Sequence, residues 1–368
     1  LLELRNQALL SSQEDAPSNT PSEGTSDASR DGTSAVEPAP ASSPTSPAGR
    51  VVLMGQILVD RVLHGAGPRY GGGNERARDA GTHVGGGFNA LVAARRMGAE
   101  AVSLSPIGTG PHASLITDAL AREGIVDAGP RVEGMDNGFC VALIDSRAER
   151  TFISTKGAET MTPASAWADF VRTMHPGDVL YVDGYLMDHP ANSEAAEAAL
   201  RALPGGVHVV LDVSPVIGIP DGLPPTSLIS MSTSEAASLW QDADRKAINV
   251  RSWLPAEDAP IAMATLLQRD VVVRAGKDGA YFTRYADSAE LTSTHVPALS
   301  IEAIDTNGAG DAHTGVLAAC LAEGMPMERG LLLANCAGAL STTVVGPASC
   351  PPRPQIEAAA DAPAEQED

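Results

Sequence analysis

The chain has 368 residues, with 25 Lys+Arg against 46 Asp+Glu and a formal net charge of −21. So acidic a body repels phosphate backbones, and 4% aromatic residues leave little to stack single strands, so both features argue against nucleic-acid binding. No apolar run approaches the roughly 18 residues of a membrane span. The four cysteines (Cys140, Cys320, Cys336, Cys350) show neither C-x-x-C nor metal-ligand spacing, which points to a reduced, cytoplasmic protein.

In chain order, residues 1–49 come first, with seven acids against two bases, and 11–49 are almost all Ser, Pro, Thr, Ala, Gly, Asp and Glu. Such a segment cannot bury enough apolar surface to offset chain entropy and is expected to be disordered. The opening Leu1–Leu10 carries Glu3, Arg5, Asn6 and Gln7 and makes a poor signal peptide. Residues 351–368 repeat the tail composition, with five acids against one base, and are expected to form a second disordered tail. Nine of the 21 excess negative charges thus lie outside the body at 50–350.

Within the body, apolar strand-like runs alternate with helical patterns. Val51–Met54 and Ala101–Ile107 read as strands, as do Val179–Val182, Val207–Val213, Leu228–Met231 and Val271–Val273. Helices are predicted over Asn89–Met97, Ser114–Glu123 (ended by Gly124), Ser165–Met174, Ser193–Leu203, Glu235–Gln241 and Ile261–Gln268. The alternation predicts an α/β fold: a mostly parallel sheet covered on both faces, with ligands beyond the carboxyl ends of the strands. Two stretches break the rhythm. Residues 60–84 are rich in Gly and Arg, and Phe139–Asp145 with Arg150–Ser154 reads as a β-hairpin, so the two are expected to form a small accessory sheet.

The strongest motif is Asp305-Thr306-Asn307-Gly308-Ala309-Gly310-Asp311, followed by a helical run. Small residues at 308–310 let backbone approach a ligand and leave N–H groups unpaired at a helix start, a ready anion site. Asp311 falls in the first turn, where the helix dipole favours its ionised form. A carboxylate beside such a nest suits phosphoryl transfer to an alcohol. From the physics alone the block reads equally well as a Gly-rich turn opening a helix. Gly85-Gly86-Gly87-Phe88-Asn89-Ala90 contains G-x-G-x-x-A, but no buried parallel strand precedes it and no acid ends a second strand about 20 residues on, so the dinucleotide reading fails. The same glycines would admit a polyhydroxy ligand to the backbone, with Asn89 as donor and acceptor. Asp60 follows the first strand, and Val271-Val272-Val273-Arg274-Ala275-Gly276-Lys277-Asp278-Gly279 runs from a strand into a Gly turn flanked by positive charge.

These motifs, in this order across residues 50–348, resemble the ribokinase-like (PfkB-type) carbohydrate kinases, helped by Pro106-Ile107-Gly108, Glu149-Arg150-Thr151-Phe152 and Ala334-Asn335-Cys336. The resemblance implies a ribokinase-like three-layer fold over 50–350 with a small β lid at about 60–84 and 137–156. It implies ATP-dependent phosphorylation of a sugar hydroxyl, with Asp311 as base and Gly308, Ala309 and Gly310 as anion hole. It makes Asp60, Gly85, Gly87 and Asn89 sugar-binding positions, and Arg274, Gly276, Gly279 and Asn335 nucleotide positions. Glu235 would help organise Mg²⁺, and the Asp305 region would hold a monovalent cation such as K⁺. A homodimer through the lid is common among relatives, and the pattern here leaves it open.

The departures leave other readings standing. Ser232 replaces the Asn of N-x-x-E, Leu58 replaces a polar residue two before Asp60, and His313 replaces an aromatic two after Asp311. His313 is read as touching phosphate or as packing between helices. A nucleoside kinase of the same fold, with Phe88 and Phe139 as base platform, and a catalytically weak sugar- or nucleotide-binding relative are the alternatives.

Overall fold

A computed structural model describes residues 49–65, 76–144, 150–246, 255, 257–287 and 290–362. The expected N-terminal tail, apart from Gly49, lies outside the described residues, as do the lid segments 66–75 and 145–149.

The main sheet has nine strands: β1 (Arg50–Met54), β4 (Glu100–Ser103), β5 (Val126–Asp127), β8 (Val179–Asp183), β9 (His208–Asp212), β10 (Leu228–Ser232), β11 (Asp270–Arg274), β12 (Ala280–Thr283) and β13 (Ser293–Val296). Their order is β13-β12-β11-β10-β9-β8-β1-β4-β5, and only β12 and β13 pair antiparallel. The strands are continuous apolar runs because both faces are buried. In β1, Val51 and Leu53 face one helical layer while Val52 and Met54 face the other. The first layer holds α1 (Phe88–Arg96), α2 (Pro111–Glu123), α7 (Ala309–Ala322), α8 (Met327–Ser341) and α9 (Arg353–Ala360). The second holds α3 (Ala166–Val171), α4 (Pro190–Ala202), α5 (Thr233–Lys246) and α6 (Ala259–Leu267). The strand order reverses between β8 and β1, which opens a crevice at the carboxyl ends of those strands.

The second sheet has order β3-β2-β6-β7, from β2 (Ile57–His64), β3 (Arg78–Gly86), β6 (Phe139–Ile144) and β7 (Arg150–Ser154). β3 is a partly buried antiparallel strand leading into Gly87, so the chain before the glycines lacks the buried parallel strand of a dinucleotide site.

Two expectations need correction. Residues 351–368 are not a tail throughout: Arg353–Ala360 is helical. Its Ile356 is fully buried in the core, and Arg353 pairs with Glu323 at 2.6 Å and donates to the Met97 carbonyl at 3.2 Å. One isoleucine in an Ala/Pro/Glu-rich stretch supplies the anchor that composition conceals. The strand expected over Ala101–Ile107 ends at Ser103, because Ile107 turns away to bridge Arg131.

α1 and α7 cross closely because Gly315 lacks a side chain. A Cβ there would stand 2.3 Å from the Ala90 carbonyl oxygen. Gly315→Ala is therefore expected to destabilise the protein by about 1–3 kcal/mol through overpacking. Thermal denaturation checks this, and an unchanged Tm would mean that the helices separate freely.

Candidate active site

The 305–311 loop meets the carboxyl edge of the sheet as α7 begins. Asp305 accepts from Asn307 N–H at 3.0 Å and from Gly346 N–H at 2.9 Å, bridging two loops. Gly308 takes φ +77°, a left-handed conformation that glycine adopts without strain, and caps the helix without a side-chain bond. The first intrahelical bond runs from Ala312 N–H to the Gly308 carbonyl, so the N–H groups of Gly310 and Asp311 emerge without helical partners.

Asp311 is the hinge of the site. Its Oδ2 accepts from Asn89 Nδ2 at 2.9 Å, which links α7 to the start of α1 across 222 residues. Burial pushes its carboxyl up to about 6; the Asn89 bond pulls the other way, Asp212 adds to the rise, and Arg274 opposes it. The dipole expected to hold this group ionised is outweighed by its loss of solvent.

On one side of Asp311 lie the predicted sugar positions, brought together by β2, β3 and α1. Asp60 is raised to about 6 by burial and then by the charge of Asp311. Gly85 leaves room for it, since a Cβ there would sit 2.0 Å from Asp60 Oδ2; a Cβ on Gly87 would strike the Leu53 side chain at 2.6 Å. Phe88 is buried in the core and Phe139 tilts against His112, so neither is the open platform expected of them. The half-exposed Tyr185, whose N–H donates to Asp183 Oδ1 at the end of β8, is an aromatic that sequence reasoning passed over.

Asp183 was passed over as well, and Asp212 holds the matching place one strand over. Each ends an apolar strand, β8 and β9, at the edge where ligands bind, and the runs V-L-Y-V-D and H-V-V-L-D carry that signal. Asp183 accepts from Gln56 and Tyr185 N–H groups, yet burial raises it to about 7. A carboxyl raised in the fold adds stability that is complete below its unfolded value and is lost as pH rises through the folded one. Between pH 5 and pH 9, wild-type protein should therefore lose roughly 2–4 kcal/mol that Asp183→Asn does not lose. Urea denaturation at the two pH values measures it; parallel curves for the two proteins would remove Asp183 as the source.

On the other side of Asp311 a cleft of about 890 Å³ runs between the Gly276–Gly279 turn and α8. Gly276 and Gly279 both have positive φ, and a Cβ on Gly279 would meet the Val296 carbonyl oxygen at 2.2 Å. Arg274 lines the cleft, and its two terminal nitrogens donate to the protein: Asp212 at 3.1 and 3.2 Å, Ser230 at 2.6 Å, Thr314 at 2.8 Å and Glu235 at 3.4 Å. It lies beneath the nest, its Nη2 3.7 Å from where a Gly310 Cβ would be. Asn335 likewise uses its polar atoms internally, donating to the Val296 and Pro297 carbonyls and accepting from His313 Nε2 at 3.1 Å. His313 packs between α7 and α8, and burial drives it down to about 3, so it stays neutral.

Ser232 and Glu235 form a capping box at the start of α5: Glu235 N–H donates to Ser232 Oγ at 3.2 Å and Ser232 N–H to Glu235 Oε2 at 2.6 Å. The S-x-x-E spacing was the readable signal. Among the described residues no three His, Cys, Asp or Glu side chains form a metal cluster, and no helix is long and apolar enough to cross a membrane. All four cysteines are free and buried.

Comparison with known proteins agrees with this geometry. The model of the pfkB family carbohydrate kinases matches residues 48–354. A sugar kinase of Escherichia coli, YegV, is 32% identical over 310 residues, covering 80% of this chain and 88% of its own. The ribokinase of Schizosaccharomyces pombe is 25% identical over 82% of this chain and 94% of its own. Among solved structures, Thermotoga maritima ribokinase superposes with TM-score 0.69 at 21% identity over 85% of this chain and 99% of its own. Arabidopsis thaliana ribokinase, complexed with ribose and ATP, gives 0.66 at 20% identity over 86% of this chain and 100% of its own. With the nest, the carboxyl and the two-sheet fold in place, the chain belongs to the pfkB family of carbohydrate kinases, phosphotransferases with an alcohol acceptor.

Proposed function

We propose that this protein transfers the γ-phosphoryl group of ATP to a hydroxyl of a sugar. The observation that carries the reading is the position of Asp311: a buried carboxyl in the first turn of α7, between the Asp60–Asn89 pocket and the large cleft. The acceptor hydroxyl oxygen attacks the γ-phosphorus, the bond to the ADP oxygen breaks, and Asp311 takes the hydroxyl proton. The N–H groups over 308–310 face the transferring group and offset its charge. Asp60 and Asn89 orient the sugar, with Gly85 and Gly87 admitting it to the backbone.

ATP lies along the cleft, with Gly276 and Gly279 allowing close approach and Asn335 holding α8 against β13 beside the base. Mg²⁺ would neutralise the phosphates; the described residues suit a metal held mainly by nucleotide and water, with Glu235 nearby. Asp305 ties the loops where K⁺ would bind. An E. coli phosphofructokinase-2 structure of the same fold was solved in complex with potassium. β7 is the edge of the lid sheet and exposes Phe152 and Ile153, which suits a homodimer through the lid.

An ADP-release screen over ribose, fructose, fructose phosphates, keto-deoxy sugar acids and nucleosides, with and without K⁺, tests the reading. Acceptor-dependent ADP with a sugar supports it. Turnover of nucleosides alone, or none above ATP hydrolysis, overturns it.

A further inference from the structure

Phosphoryl transfer, as read above, leaves a second cavity unused. It measures about 300 Å³ and lies between β3, α2, the first residue of α1 and the segment Pro347–Ala348. Val84, Phe88, Leu115 and Ala119 give it apolar walls, and Leu115 is 42% exposed there. Its polar side chains are Thr82, His83, Arg122 and Glu123. Glu123 is occupied: both its oxygens accept from Arg96, at 2.8 and 3.4 Å. Arg122 donates from Nε to the Asp118 carbonyl at 3.2 Å, and its two terminal nitrogens make no hydrogen bond or ion pair among the described residues. The His83 ring and the Thr82 hydroxyl also lack a hydrogen-bond partner among the described residues. Of the lining Arg and Glu, one guanidinium is thus uncompensated, and its fork matches a planar carboxylate through two parallel hydrogen bonds.

Ala348 touches both this cavity and the 308–310 helix start. It lines the cavity, and its backbone nitrogen is 3.7 Å from where a Gly308 Cβ would be. It takes φ +54°, a left-handed conformation that alanine keeps only where its surroundings impose it. Arg96 helps to impose it, donating to the Ala348 carbonyl at 3.0 Å and to the Cys350 carbonyl at 2.6 Å while it pairs with Glu123. Two residues earlier, Gly346 donates to Asp305, which also accepts from Asn307 at the head of the same loop. The His83 ring lies 3.8 Å from where a Gly346 Cβ would be. A body filling the cavity therefore rests on a segment that Gly308 and Asp305 meet as well.

We infer that this cavity is an effector site for a small monocarboxylate with an apolar body, which goes beyond the kinase reading and does not rest on it. The carboxylate takes the Arg122 fork, and the body lies against Val84, Phe88 and Leu115. Occupancy fixes Pro347–Ala348 against Gly308. Desolvation of the body supplies affinity, and the single uncompensated cation selects one negative charge. A segment already held costs less to order when the 308–310 N–H groups bind an anion, so the two sites favour each other.

The test uses the full chain with 2-naphthoate and its uncharged counterpart, 2-naphthylmethanol. Calorimetry should find the acid bound at least about 10-fold more tightly than the alcohol, the scale of a charge-assisted pair of hydrogen bonds. Arg122→Gln should erase that preference. Leu115→Asp, which sets a negative charge on the cavity wall, should weaken naphthoate at least about 10-fold. Both side chains are exposed, so Tm should match the wild type. Naphthoate should slow hydrogen–deuterium exchange over 304–312 and 344–350 in the wild type and not in Arg122→Gln. Mg·ADP should tighten naphthoate binding at least about 5-fold. Naphthoate heat that survives both substitutions, equal binding of the alcohol, or protection confined to the cavity walls overturns the inference. So does a naphthoate affinity that Mg·ADP, itself bound, leaves unchanged. No heat from Mg·ADP alone counts against the kinase reading instead, and the exchange result then decides the inference.

Discussion

Asp311→Asn is expected to lower kcat by at least about 10²-fold at pH 8, because a positioned proton acceptor contributes on that scale. The substitution keeps the shape of the side chain and can still accept from Asn89, so the link between α1 and α7 survives. Acceptor and nucleotide KM should therefore move little, the circular dichroism spectrum should match the wild type, and Tm at pH 8 should be no lower, since the amide escapes the cost of a buried charge. The pH profile adds a second readout. Burial raises Asp311 to about 6, and the base works only when ionised, so wild-type activity should fall as pH drops through about 6 and level off above it. Asp60 titrates in the same range and feels the charge of Asp311, so the acid limb of kcat/KM belongs to the pair. The residual activity of Asp311→Asn should lose that limb in kcat. Near-full turnover at saturating substrate would remove Asp311 from the role of base.

Arg274→Met is expected to cost about 3–5 kcal/mol, the scale for breaking a buried ion pair by removing one partner. Its guanidinium is 12% exposed and is shared among Asp212, Glu235, Ser230 and Thr314. Without it, Asp212 keeps only Tyr181 and Thr314 hydroxyl donors among the described side chains, plus a 3.4 Å contact from Ser214 N–H. The loss is therefore an uncompensated buried carboxylate rather than a missing contact. Urea denaturation measures it. Adding Asp212→Asn to Arg274→Met should return part of the stability, which a simple packing loss would not do. A single variant within about 1 kcal/mol of wild type would show that solvent reaches Asp212 freely. Because the guanidinium underlies Gly310, the variant should also lose turnover.

Much of the fold was legible because it depends on local periodicity. The apolar runs at 51–54, 179–182 and 271–273 are strands for the same reason that they are unbroken: both faces are covered. The described parts of the Gly/Arg-rich stretch and the hairpin form the second sheet, which sets Gly85 against the Asp60 carboxylate. The last helix escaped detection because one buried Ile356 outweighs a tail-like composition. The internal partners of Arg274 and Asn335 were not legible because they lie far along the chain: Asp212 is 62 residues away and His313 is 22. Tyr185 had no motif to mark it.

The sequence by itself determined the order of strands and helices and the open helix start at 308–310, because a helix start with small residues presents its N–H groups wherever it is placed. Only the tertiary structure decided how the charged groups divide their work. It joined Asn89 to Asp311, set Arg274 on Asp212 and Glu235, and buried Asp311 deeply enough to lift it to about 6. Ion pairs and desolvation depend on which distant segments meet and on how much water they exclude, and neither quantity is written in local spacing.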